Sequence, residues 1–365
     1  MVSRLLSALD ARVAECRDPL EHICLRAERA ALLARQGHLE EARTELAAIN
    51  ARYDKRPNAL VSAWTNFAEG LVIYFSSLDG AARDKLKRSL ALSEAVGADL
   101  IQPLSAAWLA QMDFASLDFE PMMKHIGTSL RHAGPEHHSA RSRACLVTAG
   151  AYHWAERVDL ALPWYERARR HATAEGDQPT ISALMHNMAW LRTAEARRQS
   201  VEGILNVSEA RQALLVADST SHFDAFIGMT ALGSLVPILR AQVLVVQERY
   251  ADALELLEAN AEQSEKEGLE RMACVMFADA AWCRLNIGDE RGACRDARVA
   301  LSRIAVGTHI DDRAMTHSRL AAIYAAIDKP EEARDHASQA SADWQLVTQR
   351  QEQLVAAMTT ALTGL

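Results

Sequence analysis

The chain has 365 residues, of which 49% are hydrophobic and only 5% aromatic, with 16 glycines and 9 prolines. This composition favours closely packed helices over a large β-sheet, and the length requires either several domains or a repeat array. The net charge of −8 arises from acids and bases interspersed along the chain, which disfavours nucleic acid or an anionic membrane as a direct partner.

The N-terminal sequence MVSRLLSALDARVAEC contains Arg4 and Asp10, so it lacks the uninterrupted apolar core of a signal peptide or a membrane anchor. No later window reaches the roughly 18 apolar residues of a membrane span. The six cysteines lie mostly within helical patterns, without the dense paired spacing of a secreted disulfide scaffold. We therefore expect a cytoplasmic protein with no membrane partner.

After an amphipathic N-terminal helix, the hydrophobic pattern predicts pairs of helices that recur at a nearly fixed interval. The first helix of each pair carries a small residue at Ala30, Gly70, Ala110, Ala149, Ala241, Ala281 and Ala321. The matching position of the second helix holds Ala42, Ala82, Met122, Ala161, Ala253, Ala293 and Ala333. Successive spacings in both series are 40, 40, 39, 92, 40 and 40. Because antiparallel helices approach closely only where side chains are small, this pattern predicts a stack of helical hairpins.

The interval of 92 contains an irregular fifth hairpin at about residues 180–217, with Ala189 in its first helix and Ala210 in its second. The segment from Gln199 to Gly203 adds extra length between the two helices. It is interpreted as a tolerated surface insertion, with a hinge or a partner-binding protrusion as the alternative.

Three segments, QERYADALELLEANA, AERVDLALPWYERA and GDERGACRDARVAL, resemble the second-helix motif of the tetratricopeptide repeat family. Tyr152, Tyr324 and Leu320 match that family's first-helix pattern. The period of 40 exceeds the family's usual ~34 residues, and the family's early Trp and closing Pro are missing. Long-period repeats of this kind are similar to regions of bacterial regulators, including MalT-like transcription factors, peptide-pheromone receptors and some diguanylate cyclases. The resemblance implies an architecture and hardly constrains the ligand.

These observations predict an all-α fold, a right-handed α-solenoid of about eight hairpins preceded by an N-terminal helix. Residues 1–340 would form the solenoid as a single domain, and residues 341–365 a C-terminal helix. In that helix Trp344, Val347, Gln351, Leu354, Met358 and Ala361 recur at spacings of three and four. Such a stripe is typical of a cap that covers the last repeat. The alternative is a heptad seam that forms a homodimer or leads into an output domain.

The sequence contains no Walker-type loop, GxGxxG, HExxH, GxSxG or zinc-binding CxxC pattern, so we expect neither an enzyme nor a cofactor. Three histidines, His132, His137 and His138, surround Gly134-Pro135 in a predicted loop. Three imidazoles that converge can bind a transition metal, but a solvated loop is the favoured interpretation.

The first helices of such a solenoid line its concave side. Side chains near the small positions are therefore candidates for a binding groove that holds a peptide segment between aromatic and amide groups. They are Trp64, Gln111, His153, Asn187, Trp190, Gln242, Asp279, Trp282 and Arg319. The alternative is that the tryptophans are inter-repeat core and the polar residues are merely solvated.

We therefore expect a non-catalytic regulatory module that binds a protein or peptide segment in this groove. The first alternative is a sensory input region that binds a small-molecule effector or a peptide and passes a conformational change through the C-terminal helix. The second is a metal protein or an enzyme that uses the histidine loop.

Overall fold

The computed structural model describes residues 3–53, 57–78, 80–204, 207–305 and 308–362. Within these ranges every regular element is a helix, and helices α2 to α17 follow one another as eight consecutive pairs. The prediction of an all-α fold built from helical hairpins is confirmed. The outer ends of the predicted segments 1–340 and 341–365, at residues 1 and 365, lie outside the described ranges.

The packing of the chain divides it into two compact units. Unit 1 comprises residues 1–184, 223–232 and 353–365, and unit 2 comprises residues 185–222 and 233–352. Three helices, α10, α11 and α17, contribute residues to both units.

Unit 1 contains the N-terminal helix and four complete hairpins. Its helices are α1 (Arg4–Glu15), α2 (Pro19–Gln36), α3 (Leu39–Tyr53), α4 (Ala59–Ser77), α5 (Ala81–Val96), α6 (Ile101–Ala115), α7 (Phe119–His132), α8 (His138–Trp154), α9 (Val158–Glu175) and the start of α10 (Gln178–Glu202). The pairs α2–α3, α4–α5, α6–α7 and α8–α9 each pack as a hairpin.

Unit 2 contains the later hairpins. Its helices are the rest of α10, most of α11 (Val207–Ile227), α12 (Leu235–Val246), α13 (Tyr250–Lys266), the short 3₁₀-helix Leu269–Met272, α14 (Ala273–Asn286), α15 (Glu290–Ser302), α16 (Ile310–Ala326) and most of α17 (Pro330–Leu362). The pairs α12–α13 and α14–α15 pack as hairpins, and α14 also packs on α16.

The recurring small residues lie where the helices of a hairpin meet. All of them are buried except Ala321 and Ala333 of the last pair, which are partly exposed. Gly70 shows the physical reason: a Cβ atom at this position would lie 3.0 Å from Cγ of Leu86 and 3.3 Å from the carbonyl oxygen of Ala82. A larger side chain would push α4 and α5 apart, so the periodicity in the sequence is a packing rule.

Two segments differ from their predicted form. The extra length predicted at Gln199–Gly203 is helical, because α10 continues to Glu202. The boundary predicted at Ser341 falls inside α17, which runs without a break from Pro330 to Leu362. On that helix the side chains of Val347, Leu354 and Met358 are buried within the chain itself. Trp344 and Gln351 of the same stripe are partly exposed and Ala361 is exposed, so the cap and the dimer seam both stay predictions.

Across the described ranges, no helix combines the length and the apolar character required to cross a membrane.

Candidate functional site

Unit 1 contains a small cavity between the first helices of its hairpins. Its walls come from α1, α2, α4, α6, α8 and the start of α10, and its volume is about 40 Å³. The lining residues are Leu5, Leu9, Glu28, Ala31, Leu32, Arg35, Trp64, Phe67, Leu104, Trp108, Ser139, Arg143 and Thr180. We call it the arginine cavity, because two buried arginines lie in an otherwise largely apolar wall.

The two arginines differ in their partners. Arg35 donates from Nη2 to both carboxylate oxygens of Asp177, at 2.7 and 2.8 Å, and to Oγ1 of Thr180 at 2.7 Å. Arg143 is also buried, with 6% of its surface exposed, and its Cζ lies 4.0 Å from the centre of the Trp108 ring. Among the described residues, no carboxylate or carbonyl oxygen forms an ion pair or hydrogen bond with the Arg143 guanidinium. The guanidinium instead packs on the face of an aromatic ring, which attracts its charge.

The electrostatics of the cavity follow from this difference. Burial alone would raise the pKa of Asp177, but the charge and hydrogen bonds of Arg35 and Thr180 outweigh it and lower that pKa. Burial, together with repulsion from Arg35, lowers the pKa of Arg143 to about 9, although attraction by Asp177 acts in the opposite direction, so the guanidinium is still charged at neutral pH. Asp177 thus acts on the charges of two arginines, and its hydrogen bonds go to Arg35, so Arg143 has no carboxylate of its own.

Glu28 lies at the rim of the arginine cavity and also lines a second, wider cavity of about 340 Å³. Burial raises the pKa of its carboxyl group to about 7, although Arg12 acts in the opposite direction. Trp64 lines both cavities as well. The surface of the wider cavity is mainly apolar, with walls that include Leu20, Leu25, Leu60, Leu100 and Ile101, but Arg12, Asp18, Glu21 and Asp99 also line it.

Unit 2 contains a second buried group of polar residues, which we call the donor cluster: Arg197, Gln242, Asp279 and Arg319. Asp279 is fully buried and accepts a hydrogen bond of 2.8 Å from Nη2 of Arg197 and one of 3.1 Å from Nε of Arg319. Arg319 in turn lies 5.6 Å from the centre of the Trp282 ring. Here both arginines have a carboxylate partner, unlike Arg143.

Three N–H groups of the donor cluster have no acceptor among the described residues. They are Nε of Arg197, Nε2 of Gln242 and Nη2 of Arg319, and all three are buried. Arg197 and Gln242 line a cavity of about 20 Å³, together with Trp190, Ala194, Met272, Asp311, Asp312, Met315 and Trp344. Buried donors without acceptors cost free energy, so a group of them beside a cavity marks a place where an acceptor can bind.

Asp312 lies in the wall of this cavity, at the start of α16. Burial raises the pKa of its carboxyl group to about 7, and the neighbouring Asp311 adds to the effect. Arg197 and Arg271 act in the opposite direction, and Asp279 raises the pKa further. Near neutral pH this carboxyl group can exist as a neutral hydrogen-bond donor.

The structure brings together five of the nine predicted groove residues, all in unit 2. Trp190 and Gln242 line the cavity, Asp279 and Arg319 belong to the donor cluster, and Trp282 contacts Arg319. Asn187 is half-buried on α10 and is not part of the cavity wall.

The other predicted residues belong to unit 1. Trp64 is 5% exposed and lines both cavities. Gln111 and His153 are half-buried and line neither, and Nδ1 of His153 lies 3.2 Å from the hydroxyl of Tyr165.

Sequence reasoning missed Arg35, Arg143 and Arg197, and it also missed Glu28 and Trp108. Part of the signal was available, because Asp279 and Arg319 each precede the small residue of their helix by two positions. The same offset from Ala30 and Ala110 gives Glu28 and Trp108. An offset of six gives Trp64 and also Arg143. The two offsets together indicate Glu28, Trp64, Trp108 and Arg143, whereas Arg35 lies five positions after Ala30 and follows neither offset.

The three loop histidines have separate surroundings. His132 is exposed, Nε2 of His137 donates to the carbonyl oxygen of Leu100 at 2.7 Å, and Nδ1 of His138 lies 3.0 Å from Nδ1 of His171. In the part of the chain that the structure describes, no group of three or more histidine, cysteine, aspartate or glutamate residues is arranged to hold a metal ion.

The fold is similar to that of a solved protein. A structure described as Rap protein complexed with competence and sporulation factor superposes with a TM-score of 0.54, over 94% of this chain and 92% of that one. The two sequences are 11% identical, so the likeness establishes a helical-repeat fold. No protein-family model matches the sequence, and no curated protein does.

Proposed function

We propose that this chain is a non-catalytic regulatory protein that binds an extended peptide segment of a partner protein, and that the donor cluster of unit 2 is part of the binding site. The observation that carries the proposal is the group of three buried N–H donors without acceptors, on Arg197, Gln242 and Arg319. An extended peptide offers a backbone carbonyl at every residue and is the natural acceptor for such donors.

The aromatic side chains around the donor cluster support a peptide over a small polar ligand. Trp190 and Trp344 are half-buried and lie in the wall of the same cavity. Aromatic rings beside amide and guanidinium donors can hold peptide side chains while the donors bind the backbone. The cavity of about 20 Å³ has room for about one water molecule, so the two tryptophans must move apart when a peptide binds.

The structural comparison also supports the proposal. The Rap protein was solved in complex with competence and sporulation factor, so a helical-repeat protein of similar fold does bind another molecule. We take from this that the fold is suited to a regulatory binding role.

A sensory input region is the second candidate function. The observation in its favour is that α17 is a single helix from Pro330 to Leu362, so a change at one end can be transmitted along it.

The test uses a library of random heptapeptides displayed on phage, selected against the full chain, with the affinity of enriched peptides measured by fluorescence polarisation. Gln242→Leu replaces an unpaired buried donor by an apolar side chain of similar size. We expect it to weaken peptide binding by roughly tenfold or more, while the midpoint of urea unfolding stays the same or rises.

Gln263→Leu is the matched control, because Gln263 is an exposed glutamine of α13 in the same unit. It should leave the affinity unchanged. Enriched peptides that bind Gln242→Leu as tightly as the original chain would contradict the proposed site, and a failure to enrich any peptide would contradict the proposed function.

A further inference from the structure

We propose that the arginine cavity of unit 1 binds the carboxylate of a small monocarboxylic acid, with Arg143 as the group that receives it. This site belongs to unit 1 and does not rest on the proposed function. A guanidinium presents donors in a planar fork that matches a carboxylate, and bidentate binding of this kind is among the strongest hydrogen-bonded interactions in proteins.

The state of Arg143 is the first argument. Only 6% of its surface is exposed, and it lines the cavity. Its guanidinium has no hydrogen-bond acceptor among the described residues. Burying a charge without a partner is costly, so an arginine left in this state is explained by a ligand that supplies the negative charge. Arg35, in the same wall, shows the contrasting case, since its charge is already bound by Asp177.

The size of the arginine cavity is the second argument. Its 40 Å³ exceeds the roughly 10–15 Å³ that one water molecule needs by about threefold. A carboxylate has three heavy atoms and fits this space, whereas a whole amino acid or a nucleotide does not. The cavity therefore has room for the head group of a ligand, and the rest of the ligand must lie elsewhere.

The wider cavity supplies that place. Glu28 and Trp64 line both cavities, so an acid with its carboxylate at Arg143 can extend past these two side chains into the space of about 340 Å³. The leucine and isoleucine side chains there favour an alkyl or aromatic body without a charge. The chemistry that fits is one carboxylate at one end and an apolar body behind it, as in hexanoate.

The experiment is isothermal titration calorimetry of the full chain with butyrate, hexanoate and octanoate. Each additional methylene buried in the wider cavity should tighten binding by roughly fourfold. Hexanamide has the same shape without the charge, and adipate carries a second carboxylate into the apolar space. Both should bind at least about tenfold more weakly than hexanoate.

Arg143→Gln should reduce the affinity for hexanoate by roughly 30-fold or more, while the unligated variant keeps the thermal unfolding midpoint of the original chain or exceeds it. Arg169→Gln, an exposed arginine of α9, is the control and should change neither quantity. Arg143→Lys keeps the charge and loses the planar fork, so its affinity for hexanoate should lie between those of Arg143→Gln and Arg169→Gln.

Three results would each overturn the proposal. They are the failure of all three acids to bind, equal affinity for hexanoate and hexanamide, and unchanged hexanoate binding by a folded Arg143→Gln variant. If Arg143→Gln does not fold, the comparison of hexanoate with hexanamide on the unaltered chain decides the question, because it needs no substitution.

Discussion

Each unit of this protein buries two arginines with one aspartate, but the two units share that aspartate differently. In unit 2 the fully buried carboxylate of Asp279 binds both Arg197 and Arg319, and what is left over is a set of N–H donors. In unit 1 the carboxylate of Asp177 is hydrogen-bonded to Arg35, and the guanidinium of Arg143 is left without a bound carboxylate. Each cluster therefore sets two arginines against one aspartate. In unit 2 both arginines hold the carboxylate and single N–H groups are left, which suit backbone carbonyls, whereas in unit 1 one whole guanidinium is left, which suits an anion. The same repeat architecture therefore offers two chemically different surfaces.

The largest effect that we expect comes from removing the shared carboxylate of unit 2. Asp279→Asn leaves two buried arginines without a charged partner, and breaking a buried ion pair in this way typically costs about 3–5 kcal/mol. We expect a loss of at least that order in the free energy of unfolding, measured by urea denaturation. Asp252→Asn is the control, because Asp252 and its partner Arg249 are both about half exposed and should contribute little.

The stability test would contradict our description of unit 2 if Asp279→Asn unfolded at the same urea concentration as the control. In that case the two arginines would have to find acceptors that the described residues do not provide.

The second prediction concerns the two arginines of the arginine cavity. Arg35→Gln leaves Asp177, whose side chain is 1% exposed, without its cation, and should cost about 3 kcal/mol. Arg143→Gln removes a charge that has no carboxylate partner, and should change stability by less than about 1 kcal/mol in either direction. Urea unfolding of both variants measures the contrast. Equal destabilisation by the two substitutions would show that Arg143 has a structural partner after all.

Contacts between residues that are close in sequence could be predicted from the sequence, and contacts between distant residues could not. Gly70, Ala82 and Leu86 are near one another in sequence and obey the repeat, so periodicity alone located the core. The partners of the arginines are set by contacts between residues far apart: 142 positions separate Arg35 from Asp177, and 82 separate Arg197 from Asp279. No repeat encodes such pairs. Which arginine is left unpaired is a property of the folded unit.

The third prediction concerns two carboxyl groups with a raised pKa, those of Asp312 and Glu28. Asp312 is the more deeply buried of the two. Its folded-state pKa of about 7 lies above its ordinary value of 3.8. Between these values the folded chain binds more protons than the unfolded chain, so this contribution to stability is complete below about pH 4 and is lost as the pH rises to about 7. The groups that set the shift besides burial are Asp311, Arg197, Arg271 and Asp279.

Asp312→Asn mimics the protonated form at every pH. The difference in unfolding free energy between this variant and the original chain should shift in favour of the variant by about 1–2 kcal/mol from pH 5 to pH 8. Urea unfolding at the two pH values measures the difference. Glu28→Gln in unit 1 should act in the same direction with a smaller amplitude, because the side chain of Glu28 is 32% exposed and water screens it. A pH dependence that is unchanged by Asp312→Asn would show that this carboxyl group is ionised in the folded chain throughout the range.

The smallest predicted effect is a difference in strength between the two arginine–tryptophan contacts. Cζ of Arg143 lies 4.0 Å from the centre of the Trp108 ring, and Cζ of Arg319 lies 5.6 Å from that of Trp282. Attraction between a guanidinium and a ring weakens with distance and is partly redundant where a carboxylate already neutralises the charge. Double-mutant cycles that combine Trp→Phe with Arg→Gln should therefore give a coupling energy of about 1 kcal/mol for Trp108–Arg143 and about 0.5 kcal/mol or less for Trp282–Arg319. The reverse order would mean that Arg143 is compensated by something other than its ring, and the case for an anion in the arginine cavity would lose its electrostatic basis.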